Sequence, residues 1–374
     1  MARAGGGPTG PGHPVIAYGV FREGGRARVG ARVEGGVLDL AAALGDEAFH
    51  APSLNGFMAG GPSIWREAHS RAREASGPVL GLDEVELLMP FEVADYVDFF
   101  SSLHHASNMG GMFRPDAEPL LPNWRHLPVG YHGRAGTVVP SGTPIVRPCG
   151  QRWAPGADAP SFGPSVRLDI ELELGFVIGV ASELGMPVPI DRALDHVFGL
   201  VLVNDWSARD IQAWEYQPLG PFLGKSFATS ISHWVAPLTE VEGHRVPAGA
   251  QEPEPLPYLR EEPWAYDLAL EVELNGAVVA RTSGRHLYWS IAQQVAHLTA
   301  NGASMRTGDL LATGTISGPE RESHGSLIEL SWNGTEPIEL PGGETRSFLE
   351  DGDEVVLRGE GLGEVRGRID PARC

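Results

Sequence analysis

"RLDIELELGFVIG", Arg167 to Gly179, alternates acid and hydrocarbon almost residue by residue. A strand has a period of two, so Asp169, Glu171 and Glu173 fall on one face and Ile170, Leu172 and Leu174 on the other. Same-face neighbours then stand about 6.5–7 Å apart along the strand. Long carboxylates at that spacing can converge on one cation, and without one they repel. A half-buried sheet with a wet acidic face would show the same pattern. Oxygen ligands select a hard cation, Mg²⁺ or Ca²⁺. No His/Cys combination of the kind zinc requires appears in the chain.

The strand reading extends outward from this segment. "VIAYGVF" (15–21), "ARVGARV" (27–33) and "GVLDLAAAL" (36–44) are short strand-like runs broken by Gly-Gly pairs. "FGLVLVND" (198–205) is an apolar run ending in Asp205, the pattern of a buried strand. "GDLLATGTISGP" (308–319) and "SLIELSW" (326–332) are strand-like too. Two segments read as helices: "PSIWREAHSRAREAS" (62–76), with Ile64, Trp65 and Ala68 on one face, and "SARDIQAWEY" (207–216). The chain is therefore read as mostly β with a few helices. Its 49 glycines and 31 prolines supply the many turns this needs.

Length and composition bound the rest. At roughly 100–200 residues per domain, 374 residues suggest about two domains. Residues 1–13 read as a flexible tail, 14–90 as a small first domain and 91–374 as the part that carries the polar constellations. A formal charge of −20 with no Lys/Arg run argues against a nucleic-acid partner. No window approaches 18 apolar residues, so no membrane-spanning helix is expected, and the N-terminus lacks the apolar stretch of a signal peptide. Cys149 and Cys374 lie far apart in sequence, which predicts no disulfide framework, no thiolate metal site and a reducing, cytoplasmic setting.

"PLGPFLGKSFATS" (218–230) looks at first like a phosphate-binding loop. Only three residues separate Gly220 from Gly224, Leu219 stands where the first glycine belongs, and a helix precedes it instead of a strand. What remains is Lys225 among Phe222, Leu223 and Phe227, an ammonium that needs an anionic partner if it is buried. Asp205, Arg209, Gln212 and Tyr216 recur at steps of four, three and four, one face of a helix and its entry turn. Upstream, Asp98 offers another carboxylate. His104 and His105 are adjacent and so point in different directions. Together these residues suggest a carboxylate metal site with cations beside it, fitted to a small anionic substrate.

"DYVDFFSSLHHASNMGGMFR" (95–114), "PNWRHLPVGYHGRAGTVVPSGTPI" (122–145), "LDIELELGF" (168–176), "NDWSARDIQAWEYQPLGPFLGKSFATS" (204–230) and "GDLLATGTISGPE" (308–320) resemble the fumarylacetoacetate hydrolase family over nearly the whole chain. The resemblance implies an N-terminal SH3-like β-barrel, a C-terminal mixed β-sandwich roll, a homodimer and a divalent cation. It also implies hydrolysis of the carbon–carbon bond of a dicarboxylate diketone, the last step of tyrosine and phenylalanine breakdown. The family's metal-side positions fall on Asp98, Glu171, Glu173, Asp205, Lys225 and Thr229. Its catalytic positions fall on His105, Glu329, Arg209, Gln212 and Lys225. Its substrate contacts fall on Phe100, Arg114, Tyr131, Gln212, Tyr216 and Thr315. Phe100 is a departure, since the family often has a tyrosine there. The rival readings are another enzyme of the same superfamily (an acylpyruvate hydrolase, a decarboxylase or a hydratase) and a non-enzymatic Ca²⁺-stabilised binding protein. The latter would have no need for His105 and Glu329 to meet.

Overall fold

A computed structural model describes residues 15–154 and 156–374; the tail reading of residues 1–13 lies outside them. The run ending in Asp205 forms the strand Val197–Asp205, buried at every position. It pairs antiparallel with Leu172–Ile178, bringing Glu173 opposite Val203. On its other side lie Thr229–Ile231 and Trp234–Pro237. Leu172–Ile178 pairs in turn with Leu310–Ala312, which runs parallel to Tyr96–Phe99, which is followed antiparallel by Gly130–His132. The register sets Asp205 opposite Thr229, and Asp98 between Ala312 and Tyr131. Residues from four distant parts of the sequence thus reach one end of one sheet.

A second sheet, Ala277–Ser283, Ala269–Leu274, Glu354–Gly359, Gly363–Asp370 and Ile145–Val146 in that order, covers one face of the first. Leu200, Leu202 and Trp206 meet Leu357, Val365 and Ile369 in a common core. A Cβ on Gly367 would stand 2.5 Å from the Trp206 ring, so the absence of a side chain there admits the indole. The molecule is mostly β with mixed sheets, as expected. Among the described residues no helix is long and apolar enough to cross a membrane.

Five expectations change. The strands Ala17–Glu23, Arg26–Val33 and Gly36–Asp39 form no closed barrel among the described residues. Tyr18 and Gly19 pair with Val235 and Trp234, which carries these strands into the large sheet. The acidic alternation is not one strand: Leu168–Asp169 pairs with Ser207–Ala208, and the long ladder starts only at Leu172. "SLIELSW" contains a short helix, Leu327–Leu330, whose first N–H groups (Leu327 and Ile328) donate to the Asp169 carboxylate at 2.7 and 3.2 Å. In the helix Gly61–Glu74, Trp65 and Ala68 are buried but Ile64 is 45% exposed, because the neighbour of Trp65 points about 100° away. Finally, Cys149 and Cys374 are joined in a disulfide with Cα atoms 6.2 Å apart. The strand that ends at Asp370 pairs with Ile145–Val146 and so returns the C-terminus to Cys149. The cysteine count therefore no longer supports a reducing compartment.

Candidate active site

Asp98, Glu171, Glu173 and Asp205 offer carboxylate oxygens that all lie within 4.8 Å of one another, and all four residues are buried. Asp169 is not among them. Its carboxylate accepts from Arg209 Nε at 2.8 Å and caps the Leu327–Leu330 helix, which the break in the alternation makes possible. Asp98 Oδ1 and Glu173 Oε1 are buried with no hydrogen-bond partner among the described residues, which is costly for a carboxylate oxygen and fits a bound cation. Burial raises the Asp98 carboxyl to about 6, with Asp205 adding to it and Arg134 opposing it. Burial and the charges of Asp98 and Glu171 raise Glu173 well above the usual carboxylate range. Burial would raise Glu171 too, but Lys225 and Arg209 outweigh it and hold that carboxyl down.

Lys225 is the only lysine in the chain. Its Nζ donates to Glu171 Oε2 and, at 2.7 Å, to Asp205 Oδ2. Burial would lower its pKa, but those two carboxylates raise it. The loop's backbone explains the placement. Phe222 and Gly224 N–H both donate to Glu215 Oε1 at 2.7 Å. A Cβ on Gly224 would stand 2.8 Å from the Gln212 backbone nitrogen, so only glycine lets the loop lie against the helix Arg209–Glu215. Thr229 Oγ1 donates to Asp205 Oδ1 at 2.8 Å.

His105 sits in the first turn of the helix Leu103–Phe113, which Ser102 caps. Its Nδ1 is 2.7 Å from Glu329 Oε2, and both residues are buried. Ser317 and Ser326 hydroxyls donate to the same Glu329 oxygen at 2.9 and 2.6 Å, and Asn108 donates to the other at 2.9 Å. Burial alone would raise the Glu329 carboxyl, but the charge and hydrogen bond of His105, followed by the Ser326 hydroxyl, bring it down to about 2. His104 turns elsewhere and meets His286 edge-on, with centroids 5.9 Å apart. The contact between His105 and Glu329 is one a purely structural Ca²⁺ protein would not require.

Arg209 joins the two groups. Its Nε meets Asp169, its Nη1 reaches Glu171 at 2.7 Å and Gln212 Oε1 at 3.3 Å, and its Nη2 is buried without a partner. Tyr131 Oη, Thr315 Oγ1 and Arg114 Nε are likewise buried and unpartnered, while Arg114 Nη2 donates to the Pro119 carbonyl at 2.7 Å. Phe100 packs edge-on against His105 at 5.2 Å and lines an apolar cleft with Met109, Phe113, Leu121 and Trp124. Tyr216 follows the helix and is 45% exposed, so it stands at the rim.

Four site residues escape the sequence reading, Arg134 foremost. Arg134 donates to Asp98 Oδ2 at 3.0 Å and to Asp205 Oδ2 at 2.6 Å. It lies inside "GYHGRAG", with a left-handed backbone (φ 66°) and no periodic neighbours to mark it. Asn108, Ser317 and Ser326, the partners of Glu329, were also missed. Ser326 is the one with a local signal, standing three residues before Glu329 at a helix start.

Residues 96–370 match the family model described as "Fumarylacetoacetate (FAA) hydrolase C-terminal". The Homo sapiens protein named fumarylacetoacetase is 44% identical over 399 residues, covering 96% of this chain and 95% of that protein. Its Arabidopsis thaliana counterpart of the same name is 47% identical over 369 residues, covering 91% and 87%. The solved fumarylacetoacetate hydrolase of Exiguobacterium antarcticum shares the fold, with a TM-score of 0.61 at 20% identity over 96% of this chain and 100% of that one. With its matched C-terminal segment and near full-length likeness to these relatives, the chain belongs to the fumarylacetoacetate hydrolase family.

Proposed function

We propose that the protein hydrolyses 4-fumarylacetoacetate to fumarate and acetoacetate. The observation that carries this reading is the buried His105–Glu329 pair, 2.7 Å apart, in a site shared with four converging carboxylates. A divalent cation, Mg²⁺ or Ca²⁺, held by Asp98, Glu171, Glu173 and Asp205 would act as a Lewis acid toward the diketone's oxygens. Glu329 fixes His105 with Nδ1 toward it. His105 Nε2 is thereby left to take a proton from water. The oxygen of that water attacks the carbonyl nearer the fumaryl group. Arg209 Nη2, Gln212 and Lys225 donate to the resulting oxyanion, and the unspent Nη2 supports that role. The carbon–carbon bond to the central methylene then breaks, leaving fumarate. The electron pair goes to the acetoacetate carbon, which receives the proton His105 had taken. Arg114, Tyr131, Tyr216 and Thr315 hold the polar ends of the substrate, and Phe100 packs against its carbon chain.

The chain is read as a small first part, residues 14–90, and a catalytic remainder, residues 91–374, and two copies of it as a homodimer. Leu219, Phe222 and Leu223, at 97%, 68% and 48% exposure, supply apolar surface beside the site for such a contact. Turnover in ¹⁸O-water tests which carbonyl is attacked. The label is expected in fumarate. Malonate among the products would mean that the other carbonyl is hydrolysed and that this assignment is wrong.

A further inference from the structure

Arg134 has a placement that substrate binding does not explain. Its side chain is 4% exposed and is directed at two of the four clustered carboxylates. The guanidinium lies over the rings of Tyr96 and Tyr131, 4.5 and 5.0 Å from their centroids. Its backbone is held in the left-handed region, where a non-glycine residue is uncommon and strained. Thr137 fixes it there, with N–H and hydroxyl both bonded to the Arg134 carbonyl at 3.0 and 3.1 Å. Arginine stays charged at every pH a protein survives.

The charges of the cluster can be counted. Asp98, Glu171, Glu173 and Asp205 carry four negative charges when ionised. Arg209 meets Glu171 but is also matched by Asp169. Lys225 and Arg134 offset two of the four. Two negative charges remain, the complement of one divalent ion. We propose that Arg134 is a positioning residue that acts as a permanent counter-cation in this centre, setting its preference for ions of charge two. It does so through Asp98 and Asp205 without itself being a metal ligand. The inference rests on the reading of these carboxylates as a cation site.

Two effects of losing Arg134 oppose each other. Asp98 and Asp205 would lose a donor and drift, which weakens every ion alike. The bound ion would lose a like-charged neighbour, which strengthens it in proportion to its own charge. The ratio of trivalent to divalent affinity isolates the second effect. Chelator-stripped full-length protein would be titrated calorimetrically with Ca²⁺ and with Tb³⁺, for the parent chain, Arg134→Met, Arg134→Gln and Arg134→Lys. Met keeps the packing between the tyrosines, Gln keeps a hydrogen-bond donor, and Lys keeps the charge. The Tb³⁺/Ca²⁺ affinity ratio is expected to rise at least about tenfold in whichever neutral variant folds, and to stay near the parent value in Arg134→Lys. An unchanged ratio in a folded neutral variant, while the parent chain binds Ca²⁺, would overturn the role of Arg134 alone. A parent chain that binds neither ion would overturn the cation site and this inference with it.

Discussion

At the residue scale the account turns on His105 and the groups around it. His105→Ala is predicted to lower turnover by about 10²–10⁴, the range general-base catalysis supplies, while calorimetry finds divalent-ion binding nearly intact. Full activity in that variant would remove His105 as the base. Glu329 carries a stability consequence as well, since its carboxyl is held at about 2 in the folded protein against about 4.3 unfolded. A depressed carboxylate stabilises the fold fully above about pH 5 and loses that contribution as pH falls toward 2. The difference amounts to on the order of 3 kcal/mol. The stability gap between the parent protein and Glu329→Gln, measured by denaturant unfolding, should therefore be widest at neutral pH and narrow on acidification. A gap independent of pH would contradict the depressed Glu329 carboxylate. Phe100 is the position where this chain departs from the family's usual tyrosine. Phe100→Tyr is expected to lower KM for the diketone by about fivefold with kcat little changed, the value of one net hydrogen bond. An unchanged KM would place the substrate out of reach of that ring.

At the element scale, what positions the site is a set of contacts that no single segment announces. The strand ending in Asp205 was legible because its apolar run is unbroken, and the helix carrying Arg209 and Gln212 because its polar residues recur at helical spacing. The alternation at 169–173 was over-read. Period two predicts a common face but not the break that sends Asp169 to Arg209 and leaves Glu171 and Glu173 facing Asp98. "SLIELSW" was misread as a strand because the groups that cap its helix belong to Asp169, more than 150 residues away. Arg134 was missed for a related reason: its partners converge only in three dimensions. The lysine loop makes a local prediction. Gly224→Ala would press a methyl group against the Gln212 backbone, and overpacking of that kind costs about 1–3 kcal/mol. Because the loop must shift, Lys225 shifts with it. Thermal melting should show the destabilisation, and turnover should fall by more than the small loss of folded protein explains. A variant of parental stability and activity would show that the close approach is dispensable.

At the scale of the whole molecule, the first strands and the catalytic sheet share both hydrogen bonds and core. Tyr18, Phe57 and Trp65 from the N-terminal part surround Phe198 of the catalytic sheet, with ring centroids 5.3–6.0 Å apart. Composition suggested two units, and an aromatic of one is packed among those of the other. Calorimetry should accordingly find one unfolding transition for both parts, and Phe198→Ala should destabilise that transition by about 3–5 kcal/mol. A separate early melt of the N-terminal part would contradict the shared core. Composition could not foresee that the only lysine would be spent inside a cluster of acids. The central claim is that these acids, with His105 and Glu329, hydrolyse a carbon–carbon bond. The most direct test is to incubate the purified protein with fumarylacetoacetate, with and without a strong chelator, and to follow loss of the diketone together with release of fumarate. The account predicts equimolar fumarate and acetoacetate, arrested by chelation and restored by Mg²⁺ or Ca²⁺. A folded, ion-loaded protein that leaves the diketone intact would contradict it.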